Sequence, residues 1–213
     1  MIVFISYSTD QSVLAGKIKR ELDAFGFDCF LAHEDIQPTQ IWTDELAQNL
    51  KKCDIFLPLL TVNFDKSIWT NQEIGYALAE GKLILPIKVN IDPSGFLTKY
   101  QALKFDTSKT FPLRKFLEAL AANDEYGSDF RDFLIDVFGR SDSYDNAEFN
   151  AGYLVRIGGF TKKQMKRIIV RSMSNSQIYH GYKARDKVLN LVAQSDYKFE
   201  KELMRKFRSK MTG

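Results

Sequence analysis

The rhythm of apolar and polar residues changes once along the chain, and the change divides it. Through the first half, short runs of β-branched and aromatic residues alternate with stretches whose apolar positions recur every three or four residues, the pattern of parallel strands joined by crossover helices. Residues 2–6 read as the first strand. A helix over about 11–25 follows, with Val13, Leu14, Ile18, Leu22 and Phe25 as its apolar stripe and Gly26 as its stop. Residues 27–32 read as the second strand and 33–39 as a loop, before a helix carrying Trp42, Leu46 and Leu50. Residues 54–60 are almost wholly apolar, which predicts a strand covered on both faces. A helix through Trp69 and Glu73 ending at Gly81, a fourth strand over 82–89, turn residues at 90–95, an extended piece at 103–105 and a helix over 112–122 complete an α/β unit spanning 1–122.

Beyond residue 122 only the helical period remains. Segments 126–138, 145–157, 161–173, 181–194 and 197–211 make 123–213 an all-α C-terminal region. In the last of them Phe199, Leu203, Phe207 and Met211 recur at steps of four, the signature of a core stripe.

Composition narrows the class. A chain of 213 residues with 45% hydrophobic and 13% aromatic content builds its core without metal or disulfide help. Cys29 and Cys53 fall in or beside strands and form no CxxC pair, as expected of packed thiols in a reducing compartment. The opening apolar run is too short for a secretory leader and lacks basic residues, and the longest apolar stretch, 55–60, contains Pro58 and is far too short to span a bilayer. The setting read from the sequence is soluble and cytoplasmic. His33 and His180 have no Cys or carboxylate at ligand spacing, so no metal site is expected.

Charge is unevenly spread. Residues 156–213 hold fifteen Lys+Arg against four Asp+Glu, whereas 1–155 hold fifteen against twenty-three. A basic tail can attract nucleic acid through counterion release. Here Phe, Tyr and Leu interleave with the charges as in ordinary helix packing, which disfavours nucleic acid and makes the acidic body, in the same chain or a neighbouring one, the most economical partner.

The most informative pair is Trp69 and Glu73. Four residues apart on a helix capped by Ser67, an aromatic plate and an anion share a face and can touch one ligand. An acid near a helix N-terminus also has a plain electrostatic reason to be there. If the first half is an open α/β sheet, its ligand lies beyond the carboxyl ends of the strands. That rule selects Tyr7, Ser8 and Thr9 after the first strand, Ile36 to Pro38 after the second, and Val62 to Phe64 after the third. Ser8 and Thr9 could bond a ribose or phosphate, or simply close a turn. Trp42 reads as helix packing.

Phe4-Ile5-Ser6-Tyr7-Ser8 resembles the first sequence box of the Toll/interleukin-1 receptor (TIR) domain family. Asp10 and Ala15 match its first helix, and Asp35-Ile36-Gln37-Pro38 with Trp42 is similar to its BB loop and following helix. Ser67-Ile68-Trp69 through Glu73 and Ala77 resembles its Ser-x-Trp-x-x-x-Glu helix, and Leu85-Pro86-Ile87 its fourth strand. Thr39 stands where many relatives have Gly, and Thr70 where many have Cys. The resemblance implies a flavodoxin-like parallel sheet flanked by helices. For the NAD-cleaving branch it implies scission of the nicotinamide–ribose bond of NAD+, a substrate rather than a cofactor, to ADP-ribose or a cyclic relative, in antiphage or immune signalling. Glu73 would be the catalytic acid, with Tyr7, Ser8, Thr9, Ile36, Pro38, Phe64 and Trp69 around the substrate. Assembly through TIR–TIR contacts into a homo-oligomer and a downstream effector reading the nucleotide product are implied as partners. The resemblance also admits a non-catalytic adaptor that assembles through its BB loop.

Overall fold

Alternation along β1 (Ile2–Ser6) sets the layers of the first unit in a computed structural model, which describes residues 1–32 and 42–212 with the side chains of Trp42 and Thr43 excepted. Successive residues of a strand face opposite ways, so Ile2, Phe4 and Ser6 share one face of the sheet. In register, Phe4 lies between Phe30 of β2 (Asp28–Leu31) and Phe56 of β3 (Ile55–Leu60), with ring centroids 5.3 and 5.8 Å away. Over this row pack Leu46 and Leu50 of α2 (Trp42–Lys52) and Ile74 and Ala77 of α3 (Ile68–Ala79). A separate set of buried side chains comes from α1 (Ser12–Phe25) and α4 (Leu113–Ala122), where Phe116 meets Phe27 edge-on at 5.6 Å.

All strand pairs are parallel. The order is β2-β1-β3-β5-β6, with β5 (Ile87–Lys88) and β6 (Leu103–Lys104) on the far side of β3 and the short β4 (Leu83–Ile84) also paired to β3. This is the flavodoxin-like order. The chain steps from β1 to one side and then to the other, so the connections after β1 and β3 part company, the switch point at which open α/β sheets bind ligands.

Some sequence expectations change in detail. Val13 is 84% exposed, and the buried stripe of α1 is Ala15, Ile18, Leu22 and Phe25, whose spacing of three, four and three leaves Val13 on the opposite side. Gly26 does end the helix, in the left-handed conformation at φ 114°. The single strand expected over 82–89 is two, because Pro86 has no N–H to donate; its carbonyl instead accepts from Leu103 N at 2.8 Å. A 3-10 turn at Gly95–Lys99 and a four-residue helix at Ser176–Tyr179 escaped the periodicity, and the last helix begins only at Lys201.

The chain divides into Met1–Leu117 and Glu118–Gly213, with the covalent thread of α4 running through the division. The second unit holds α5 (Gly127–Gly139), α6 (Tyr144–Ile157), α7 (Lys162–Ser174), α8 (Ser176–Tyr179), α9 (Tyr182–Ala193) and α10 (Lys201–Thr212). Thr161 and Gln164 cap α7 reciprocally, and Phe130, Phe138, Leu154, Ile168 and Phe207 are fully or almost fully buried. Of the expected stripe on α10, Phe207 and Met211 are buried and Leu203 is half-buried.

The charge asymmetry resolves inside this unit. The acidic excess lies mainly in residues 118–155, which hold nine Asp+Glu against two Lys+Arg. Arg167 bridges Asp132 and Asp136, Arg171 also reaches Asp136 at 2.9 Å, and Glu148 takes Lys183 and Lys187 at 3.1 and 3.0 Å. Part of the basic tail thus has acidic partners in the same chain.

Candidate active site

Among the described residues of the first unit, the buried polar side chains are Ser6, Ser8, Thr61, Thr70 and Glu73. They are not scattered. Ser6 ends β1, Ser8 and Thr61 follow β1 and β3, and Thr70 and Glu73 lie on α3. All gather near the carboxyl ends of β1 and β3, where the strand order reverses, the place at which open α/β sheets bind ligands.

Local chemistry fixes α3 there. Ser67 is its N-cap, the hydroxyl accepting from Thr70 N at 3.4 Å. Thr70 Oγ1 in turn donates to the carbonyls of Phe64 at 2.6 Å and Ser67 at 3.0 Å, which fastens the loop after β3 to the first helical turn. Helical spacing then makes Thr70, Glu73, Ile74 and Ala77 the inward face. Ser8 Oγ and Thr61 Oγ1 lie 3.2 Å apart, joining the ends of β1 and β3.

Glu73 is 1% exposed. Its Oε2 accepts a hydrogen bond from Ser6 Oγ, and its Oε1 has no hydrogen-bond partner among the described residues. Burial pushes the carboxyl up to about 7, with the Ser6 hydroxyl pulling the other way. Asp10, fully exposed at the same end of the sheet, is held down at about 2 by hydrogen bonds from Ser8, Gln11 and Asn63. One end of the sheet thus carries an ionised acid at the surface and a half-neutral one inside.

The structure sorts the site residues read from the sequence. Tyr7, Ser8, Phe64 and Glu73 are buried, Phe64 within the hydrophobic cluster that includes Phe4 and Ile74, and Thr9 is exposed. Trp69 is 41% exposed. It does not share Glu73's degree of burial, because the acid belongs to the inward stripe. Ile36 and Pro38, with His33, Asp35 and Thr39, lie outside the described residues. Ser6 and Thr61 were missed as site residues. The signal for Ser6 was a hydroxyl on the same strand face as Phe4, and for Thr61 a hydroxyl at the end of an all-apolar strand.

Elsewhere, a cavity of about 280 Å³ in the second unit is lined by Tyr144, Glu148, His180, Tyr182 and Lys183. The main charges in it are spent on one another, through Glu148 and Lys183. Among the described residues there is no cluster of His, Cys, Asp and Glu able to hold a metal ion, and no helix is long and apolar enough to cross a membrane.

The family profile described as TIR domain matches residues 3–121, more than half of the chain. The chain belongs to the TIR domain family. The TIR match takes in the described strands, β1 from its second residue, and α1–α3, together with nearly all of α4, and leaves α5–α10 outside. Among solved structures, the chain is similar to the TIR domain of the Toll-related receptor TRR-2 from the lower metazoan Hydra magnipapillata, at 14% identity over 63% of this chain and 96% of that one, with a TM-score of 0.44. No curated protein matches it.

Proposed function

We propose that this TIR domain cleaves NAD+ between nicotinamide and ribose, with Glu73 as the catalytic carboxylate. One observation carries the reading: a buried carboxyl at the carboxyl end of β1, beside the point where the strand order reverses, held through one oxygen by Ser6 and with the other oxygen unengaged among the described residues. A buried acid with an unsatisfied oxygen is unfavourable for folding, and a ligand that completes it offsets that cost.

The chemistry suits a single acid. Glycosides need a second carboxyl to protonate an alkoxide leaving group. Nicotinamide in NAD+ is already a pyridinium; when the C–N bond breaks, the electron pair returns to the ring nitrogen and a neutral molecule departs. The ribosyl cation left behind is stabilised by a carboxylate accepting from its hydroxyls, an interaction that strengthens as charge develops. Water attacking the anomeric carbon yields ADP-ribose and releases one proton, whereas a nucleophile of the same nucleotide yields a cyclic product. A half-exposed Trp69 offers an aromatic face to the cation, worth about 1 kcal/mol. The approach of a pyridinium also favours the ionised form of Glu73, so substrate binding and deprotonation support each other.

At 1% exposure the carboxyl meets a ligand only after neighbouring groups move. Assembly through TIR–TIR contacts into a homo-oligomer is the proposed trigger, and an effector reading the nucleotide product is the proposed partner in immune or antiphage signalling. The same burial favours a second reading, an adaptor in which Glu73 is a structural acid bonded to Ser6. Incubating the purified chain with NAD+ and resolving products by chromatography tests the choice. Nicotinamide release that disappears in Glu73→Ala supports the enzyme; no release by the assembled protein, with biological output intact in Glu73→Ala, supports the adaptor.

A further inference from the structure

We infer that Ser6 is a positioning residue for Glu73: by donating to Oε2 from the end of β1, it locks the carboxyl's orientation and keeps Oε1 free for the ribosyl centre. The inference rests on the proposed NAD+ cleavage for its catalytic meaning, but its physical content stands on the hydrogen bond itself.

The geometry leaves Ser6 alone in this task. It is fully buried, and strand alternation turns its side chain to the face that also carries Phe4, the face over which α3 packs. Its register partner on β3 is Pro58, and the buried cluster on that face, with Phe56 and Leu60 of β3 and Ile74 and Ala77 of α3, is apolar. Three other buried hydroxyls of this unit are committed elsewhere, Thr70 to the Phe64 and Ser67 carbonyls, and Ser8 and Thr61 to each other. Among the described residues no charged side chain acts on the Glu73 carboxyl from α2, α3 or the strands; burial and the Ser6 hydroxyl are the two influences on it. A carboxylate in such surroundings has one donor, and removing that donor leaves a rotatable, unsatisfied anion.

The role also explains a choice of residue. A strand position buried on this face would ordinarily carry Val, Ile or Phe, as the preceding residues of β1 do. A serine there gives up apolar burial, and the acid on α3 is what it gains.

Ser6→Ala and the milder Ser6→Cys, which keeps the volume and a weak donor, test the assignment. The expected result for Ser6→Ala is an acidic limb in kcat/KM displaced upward by about one pH unit, the size of one hydrogen bond to a charged group, with activity recovering at about pH 8.5. Ser6→Cys should fall between Ser6→Ala and the parent. A uniform loss at all pH values with the limb unmoved would overturn the proposal in favour of a merely structural serine. The carboxyl carbon of Glu73, followed by NMR titration in the parent and the variants, reads the same coupling with no turnover at all. An unshifted titration in a folded Ser6→Ala or Ser6→Cys protein overturns the inference, whereas absent nicotinamide release with a shifted titration overturns only the enzymatic reading.

Discussion

Thr70 Oγ1 donates to the Phe64 carbonyl at 2.6 Å, binding the loop after β3 to the helix that carries Glu73. The acid's position therefore depends on a hydroxyl three residues before it. Thr70→Val keeps the shape and deletes the donor, and should cost about 1–3 kcal/mol in urea unfolding, whereas Thr70→Ser should cost less because the bond survives. A larger loss in Thr70→Ser than in Thr70→Val would instead assign the effect to the methyl group.

Glu73 links stability to pH in an unusual direction. Its folded value of about 7 lies above the ordinary 4.5, so between the two the folded chain keeps a proton that the unfolded chain has released. Stability should fall as pH rises through this window, by about 3 kcal/mol in all, and the loss should be complete above the folded value. Glu73→Gln should flatten that part of the profile and be the more stable protein above neutrality. A parent and a Glu73→Gln variant with parallel profiles would refute the assignment.

Activity should run the other way. If the ionised acid stabilises the ribosyl cation, kcat/KM for NAD+ rises with an inflection near the folded value of about 7. Nicotinamide release measured across pH in the assembled protein checks this. The form that works is the form that destabilises the fold, a trade-off common at active sites.

Arg167 holds Asp132 and Asp136 together while a third of its side chain remains exposed. Arg167→Ala should lower the stability of the helical unit by about 1 kcal/mol, less in high salt. Because these pairs lie within one chain, light scattering of the parent across a salt series should show no dissociation attributable to them; a marked loss of assembly would place tail charges between protomers.

Val13 is exposed and Ala15 is fully buried on the same helix. Val13→Lys should change stability by less than about 0.5 kcal/mol, and Ala15→Lys should prevent stable folding. Thermal unfolding of the two variants distinguishes the true face of α1 from the one suggested by hydrophobicity alone.

Much of the scaffold was legible because its signals are local. The six apolar residues of β3 and Gly26 after α1 announce themselves without reference to anything distant. Val13 misled because a β-branched residue at a helix start satisfies a hydropathy count without facing the sheet. Glu73 stood out by its spacing from Trp69, yet its burial did not, since the inward face of α3 is defined by Thr70 and Ala77 as much as by large apolar residues. Ser6 could not be paired with Glu73 from sequence, because the two are sixty-seven positions apart and only the packing of α3 over β1 joins them. The internal charge balance was hidden for a similar reason: a count over 1–155 merges a nearly neutral stretch with the acidic 118–155.

Helix α4 serves two masters. Phe116 at the end of its first turn meets Phe27 and Phe111, while the Ala121 carbonyl near its end accepts from Arg131 at 3.1 Å. Excising either half of the protein therefore has no clean cutting point: a fragment stopping at Leu117 truncates the helix in mid-turn, and one stopping at Ala122 deprives Arg131 of an acceptor in the remainder. Separate expression of the halves calls for both pieces to carry residues 113–122.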